Sequence, residues 1–65
     1  MIREIIKQAM MEQNVKSVEL AKYIGVTRSS FSLFLSGEIN LMLPKLEMIF
    51  EYLNIQLVIK RQGSD

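Results

Sequence analysis

The sequence has no cysteine, no histidine and no tryptophan, and it has only one proline in 65 residues. Without cysteine the chain cannot form a disulfide. Without cysteine and histidine it also lacks the usual zinc ligands and the usual pairs of nucleophile and base. No apolar run approaches the roughly 20 residues of a membrane-spanning helix, and charges interrupt the apolar residues at the N-terminus. These absences favour a cytoplasmic protein with no metal, no cofactor and no membrane segment.

The composition is that of a small globular domain, with 49% hydrophobic residues, 23% charged residues and a net charge of +1. We expect one domain over residues 1–62 and a flexible tail over residues 63–65. A domain of this size buries only about 60% of the surface of its unfolded chain, so a partner subunit would add stability.

Two segments outside the centre of the chain have the apolar spacing of amphipathic helices. The first lies near the N-terminus, with Arg3 among the polar residues of its outer face, and the last opens near Pro44. Ser17 is predicted to cap the second helix, and Asn40 or a backbone group to cap the fourth. The residues predicted to face the core from the first and last helices are Ile2, Ile5, Ile6, Ala9, Met10, Leu46, Ile49, Phe50 and Leu53.

Residues 17–37 contain two short helical patterns separated by a glycine. Leu20 and Ile24 lie on one face of the first pattern, and Gly25 can take the left-handed backbone conformation that often ends a helix. Thr27 can cap the helix that follows. In that helix, apolar residues recur at the i, i+3 and i+4 spacing of a single face: Phe31, Phe34 and Leu35.

This segment resembles the helix-turn-helix of the Cro and phage-repressor type, a family of bacterial and phage transcription regulators, and the likeness extends over roughly residues 1–54. The resemblance implies a mainly α fold, a four-helix lambda-repressor-like DNA-binding domain. It also implies sequence-specific binding of double-stranded DNA, without enzymatic activity. The seven positions that match the motif are Leu20, Ala21, Ile24, Gly25, Val26, Phe31 and Phe34.

The resemblance places the second helix of the motif in the major groove of DNA. Arg28, at the start of this helix, is predicted to contact a guanine edge, and Leu33 a thymine methyl group. Ser29 and Ser32 are predicted to bind base edges or phosphates, and the remaining candidates to bind phosphates. The complete set of predicted DNA-binding residues is Ser17, Lys22, Thr27, Arg28, Ser29, Ser32, Leu33, Ser36 and Asn40.

The C-terminal segment changes to the alternating period of a strand, over about residues 55–61. Nothing else in the sequence reads as a strand, so pairing with the same strand of a second copy is the simplest way to satisfy its backbone groups. We therefore expect a homodimer that reads a palindromic operator with half-sites about 34 Å apart. The predicted dimer interface consists of Ile55, Leu57, Val58 and Ile59.

Other interpretations of these residues remain open at the level of sequence. The phenylalanines of the motif could stack on bases rather than fill the core, and the serine-rich face of its second helix could be solvated surface. Arg28 could pair with Glu19 or Glu38. The net charge of +1 predicts weak nonspecific binding to DNA.

Three classes of function remain. The leading one is a dimeric repressor that occupies a promoter and thereby blocks it. The alternative is an antitoxin or other interaction module whose main role is to bind a partner protein, with the C-terminal strand adding to the partner's sheet. An enzyme is the weakest, because Glu47 and Glu51 at i, i+4 have the spacing of an exposed helical face rather than of a catalytic pair.

Overall fold

The computed structural model describes residues 1–56, which form four α-helices and, within that range, no strand. The predicted helical architecture is confirmed. Ile55 and Gln56, where the predicted strand begins, have no regular secondary structure. The rest of that strand, with Leu57, Val58 and Ile59, and the predicted tail lie outside the described residues. The helices are α1 (Ile2–Gln13), α2 (Ser17–Ile24), α3 (Arg28–Leu35) and α4 (Leu43–Leu53).

All four helices contribute to one core. Ile5 was predicted to face inward but is 43% exposed. The buried face of α1 consists of Ile6, Ala9 and Met10, and Ile5 lies beside it. Residues 1–56 contain no helix that is both long enough and apolar enough to cross a membrane. The buried apolar side chains are Ile6, Ala9, Met10, Leu20, Ala21, Ile24, Phe31, Phe34, Ile49, Phe50 and Leu53.

The connection from α2 to α3 has the predicted geometry. Gly25 ends α2 in the left-handed conformation at φ 80°, which glycine adopts without a steric penalty. The backbone N–H groups of Gly25 and Val26 both donate to the carbonyl oxygen of Ala21, each at 3.0 Å. Thr27 then caps α3, because its side-chain oxygen accepts from the backbone N–H of Ser30 at 3.0 Å. The turn therefore holds α3 at a defined angle across α2.

The predicted cap of α2 is wrong, and one of the two groups considered as a cap of α4 is excluded. Ser17 is the first helical residue of α2 rather than its cap, and the preceding Lys16 takes the cap position. There the backbone N–H of Lys16 donates to the Glu19 carboxylate at 3.4 Å. Asn40 does not cap α4, which begins after Met42 without any side-chain cap. The residue type at Ser17 suited a cap, but the chain enters the helix one residue earlier.

Side chains from neighbouring helices close two of the helix ends. The Lys45 ammonium donates to the carbonyl oxygen of Ile24 at 2.6 Å and so satisfies the C-terminal end of α2. The Gln13 side-chain amide donates to the carbonyl oxygen of Leu53 at 2.7 Å and does the same for α4. These contacts fix α4 against α2 and α1, and thereby support the α2–α3 unit from behind.

Candidate nucleic-acid interface

The helix α3 has a buried side and an exposed side. Phe31 and Phe34 are 0% and 2% exposed, so the interpretation that they belong to the core is confirmed. The exposed side carries no acidic residue within the helix and is made of short polar side chains, one arginine and one partly exposed leucine. Such a surface can approach the base edges of a major groove closely. Its members are Arg28, Ser29, Ser32, Leu33 and, just past the helix, Ser36.

At the N-terminal end of α3, the Thr27 hydroxyl is hydrogen-bonded, whereas Arg28 has no hydrogen-bond or ion-pair partner among residues 1–56. The Thr27 hydroxyl is engaged in the cap and also donates to the Ser30 hydroxyl oxygen at 3.0 Å. Arg28 is exposed and, within residues 1–56, pairs with neither Glu19 nor Glu38. Its guanidinium therefore has all of its donors available to a ligand.

The C-terminal end of α3 is hydrogen-bonded within the chain. The Ser36 hydroxyl oxygen lies 3.0 Å from the carbonyl oxygen of Leu33 and 3.0 Å from a carboxylate oxygen of Glu38, and its single proton serves one of them at a time. Glu38 places a negative charge beside Ser36. This carboxylate opposes the approach of a phosphate group at that point.

Arg3 reaches from the first turn of α1 to the end of α3, although the sequence pattern placed it on the outer face of α1. Its Nε donates to the carbonyl oxygen of Phe34 at 2.6 Å, and its Nη2 donates to the carbonyl oxygen of Ile39 at 3.0 Å. The guanidinium carbon lies 4.9 Å from the centre of the Phe34 ring. Arg3 also donates to the side-chain oxygen of Asn40 at 2.7 Å, so this predicted DNA-binding residue is held by α1.

The helix α2 carries an exposed acidic side chain, Glu19, in its first turn and an exposed basic side chain, Lys22, in its last turn. The Glu19 carboxylate accepts from the Tyr52 hydroxyl of α4, and the Tyr52 and Tyr23 rings lie 4.6 Å apart. The pKa of Tyr52 is raised because its hydroxyl donates to this carboxylate, whose charge also disfavours the phenolate. Glu19 is thereby turned toward α4, while Lys22 is exposed on α2.

The predicted residues therefore fall into three groups. Arg28, Ser29, Ser32 and Leu33 share the exposed face of α3. Ser17, which is partly buried, and Lys22 belong to α2, which packs against α3. Thr27, Ser36 and Asn40 border α3 at its two ends and are engaged in hydrogen bonds within the chain.

Two residues that shape this surface were not among the sequence-based candidates. Arg3 contacts groups 31 to 37 residues away, and no periodic pattern reports contacts at that separation. Glu38 was considered only as an ion-pair partner for Arg28, whereas it bonds to Ser36, two residues before it. The sequence did contain a signal for the role of Glu38, because this acidic residue follows closely on the serine-rich helix.

Comparison with known proteins agrees with this geometry. The family profile described as a Cro/C1-type HTH (helix-turn-helix) DNA-binding domain matches residues 5–58. Neither the curated proteins nor the solved structures contain a significant match to the chain. The match covers most of the chain, including α2, α3 and the connection between them. The chain belongs to the family of Cro/C1-type helix-turn-helix DNA-binding domains.

Proposed function

We propose that this protein is a sequence-specific regulator of transcription that binds double-stranded DNA as a homodimer and represses a promoter by occupying it. The observation that carries the proposal is the exposed face of α3, which has no acidic residue and presents several hydroxyl groups and an arginine without an ion-pair partner among residues 1–56. The family to which the chain belongs supports a DNA ligand. We expect the protein to act in the cytoplasm, without a cofactor.

The proposed base reading is concentrated at the start of α3. Arg28 can donate two hydrogen bonds to the acceptors of one guanine, a pairing that discriminates against other bases by about 1–3 kcal/mol. Ser29 and Ser32 are exposed and short enough to reach base edges or phosphates. Leu33, 40% exposed, offers an apolar contact to a thymine methyl group.

The proposed phosphate contacts surround this face. Ser17 and Lys22 on α2 provide donors on one side, and Asn40 provides donors on the other. Thr27 and Ser36 complete the proposed set, and each would exchange its hydrogen bond within the chain for one to a phosphate. Lys45, which also lies near this region of the sequence, donates to the backbone of α2 instead. We therefore expect weak nonspecific binding and a shallow dependence of affinity on salt.

The proposed dimer uses a groove between α1 and the end of α4. The groove has a volume of about 550 Å³, and Ile5 and Ile55 are among its apolar walls. Residues 57–61, which continue from Ile55, contain three apolar residues followed by Lys60 and Arg61. We propose that this segment of a second copy packs along the groove, with its cations near the Glu12 carboxylate at the rim. The two copies of the segment would pair as strands, which satisfies their backbone groups.

The dimer is tested by replacing Leu57 with lysine, because a charge on the packing face of the strand opposes burial. We expect the wild type to sediment as a dimer and the L57K variant as a monomer. The matched control is Gln56→Lys, which adds the same charge on the other face of the alternating pattern and is expected to leave the dimer intact. A dimeric L57K variant would contradict the proposed strand pairing.

The function is tested by selecting bound sequences from a random pool of DNA duplexes with the purified protein at moderate salt. We expect an enriched palindrome whose half-sites are one helical turn apart, as a two-fold dimer requires. A pool without enrichment would overturn the regulator proposal. That result would favour the alternative function, in which the domain binds a partner protein such as a toxin.

A further inference from the structure

We infer that Arg3 is a positioning residue for DNA binding, which holds the side-chain amide of Asn40 so that its NH2 group faces a phosphate of the bound duplex. The inference rests on the proposed function and adds a residue of α1 to it. Arg3 donates hydrogen bonds to Phe34, Ile39 and Asn40, and these contacts support the inference.

The guanidinium of Arg3 donates to three acceptors and so holds them together. These are the carbonyl oxygen at the end of α3 in Phe34, the carbonyl oxygen of Ile39 in the following loop, and the side-chain oxygen of Asn40. A planar group with several fixed donors can serve all three at once, whereas an ammonium group presents a single point of charge. Arg3 therefore sets the position of the loop relative to α3.

The contact with Arg3 also fixes which way the Asn40 amide points. A guanidinium only donates hydrogen bonds, so the atom of Asn40 that faces it at 2.7 Å must be the oxygen. The NH2 group consequently faces away from Arg3. Within residues 1–56 it meets no acceptor, and Asn40 is exposed. Two oriented donors are thus directed outward from the protein.

Backbone donors beside Asn40 suit a phosphate oxygen, and they act against the repulsive charge of the Glu38 carboxylate two residues earlier. The loop turns back onto the end of α3, where the backbone N–H groups of Glu38 and Ile39 approach the carbonyl oxygen of Leu33 at 2.9 and 3.4 Å. Asn40 therefore lies in a loop that is held against the C-terminal end of α3. The backbone N–H groups of residues 40–42 donate to no acceptor within residues 1–56, so they add further donors beside the amide. Amide and backbone N–H groups are common phosphate ligands in protein–DNA complexes.

The decisive substitution is Asn40→Asp in the full chain, with the duplex enriched by the selection experiment as ligand. Aspartate keeps the oxygen that accepts from Arg3, so the melting temperature should not fall. It removes the two donors and adds a charge that repels phosphate, so the affinity should fall about tenfold or more. The matched control is Gln56→Glu, which makes the same change from amide to carboxylate at an exposed residue beyond the end of α4. It should alter affinity little, with the dimer content checked by sedimentation.

A second experiment separates positioning from a merely structural role. If Arg3 acts through Asn40, Arg3→Met and Asn40→Ala should each lower the affinity, and the double variant should bind about as well as the weaker single variant. If the double variant lost affinity by the product of the two single-variant factors, the inference would be overturned. Wild-type affinity in the N40D variant would also overturn it. If the wild type bound no duplex at all, the proposed function would fail and this inference with it.

Discussion

The two ends of α3 differ in what their polar groups contact. At the N-terminal end, Arg28 and Ser29 are exposed and their side chains form no hydrogen bond or ion pair within residues 1–56. At the C-terminal end, the Ser36 hydroxyl donates within the chain and Arg3 donates to the carbonyl oxygen of Phe34. One end is available to a ligand, and the other is used to hold the helix in place.

The helix dipole accounts for this division. The partial positive charge at the N-terminal end of a helix attracts anions such as phosphate, while the partial negative charge at the C-terminal end is stabilised by a cation. Arg3 supplies that cation beside the carbonyl oxygen of Phe34. Arg3 therefore holds the C-terminal end of α3 in place and leaves the donors at the N-terminal end of the helix available.

The largest expected effect is on the free energy of unfolding, and it comes from removing the ring of Phe31, which packs the middle of α3 into the core. Phe31 is 0% exposed, and truncating a buried phenylalanine to alanine typically costs about 3–5 kcal/mol. We expect Phe31→Ala to leave this small domain largely unfolded, as measured by urea denaturation followed by circular dichroism. Ser32→Ala, on the exposed side of the same helix, is the control and should unfold at nearly the wild-type urea concentration.

The second-largest expected effect is on DNA affinity, and it tests whether the N-terminal end of α3 contacts base edges. Arg28→Ala should weaken binding to the selected duplex by about 1–3 kcal/mol and relax the preference at one base of each half-site. The melting temperature should not change, because the side chain is exposed. The comparison variant is Lys22→Ala. Because Lys22 is proposed to contact a phosphate, its removal should lower the affinity by a similar factor for every DNA sequence. An equal loss on all sequences for R28A would show that Arg28 contacts a phosphate instead.

A smaller effect concerns the cap at the same end. Thr27→Ala removes the oxygen that accepts from the Ser30 N–H and should lower the free energy of unfolding by about 1 kcal/mol. Ser30→Ala removes only the hydroxyl that meets Thr27 and keeps the backbone cap. It should therefore shift the urea midpoint less. If both variants lost the same stability, the cap would not be the source of the effect.

The smallest effect probes the acidic residue at the anchored end. Glu38→Gln keeps an acceptor for the Ser36 hydroxyl but removes the charge. We expect affinity for the selected duplex to rise about threefold, within the range of exposed charge interactions, and the rise to shrink at high salt. Unchanged affinity at low salt would mean that this end of α3 does not approach the phosphate backbone.

The helices and the connection between α2 and α3 were predictable because they depend on residues one to four positions apart. Leu20 and Ile24, the left-handed Gly25 and the Thr27 cap all follow from local rules. The roles of Arg3 and Lys45 were not predictable, because their acceptors lie 21 or more residues away in the sequence. Ser17 shows a different limit, since a good capping residue does not determine where a helix begins.

The hydrogen bonds of α1 to distant residues also bear on the order in which the domain folds. Arg3 and Gln13 contact groups 31 to 40 residues away, whereas α2 and α3 are neighbours along the chain. Local contacts form before distant ones because they close shorter loops. We expect the α2–α3 unit to be structured in the folding transition state and α1 to dock afterwards. Substitutions at Arg3 should then accelerate unfolding while leaving the folding rate nearly unchanged.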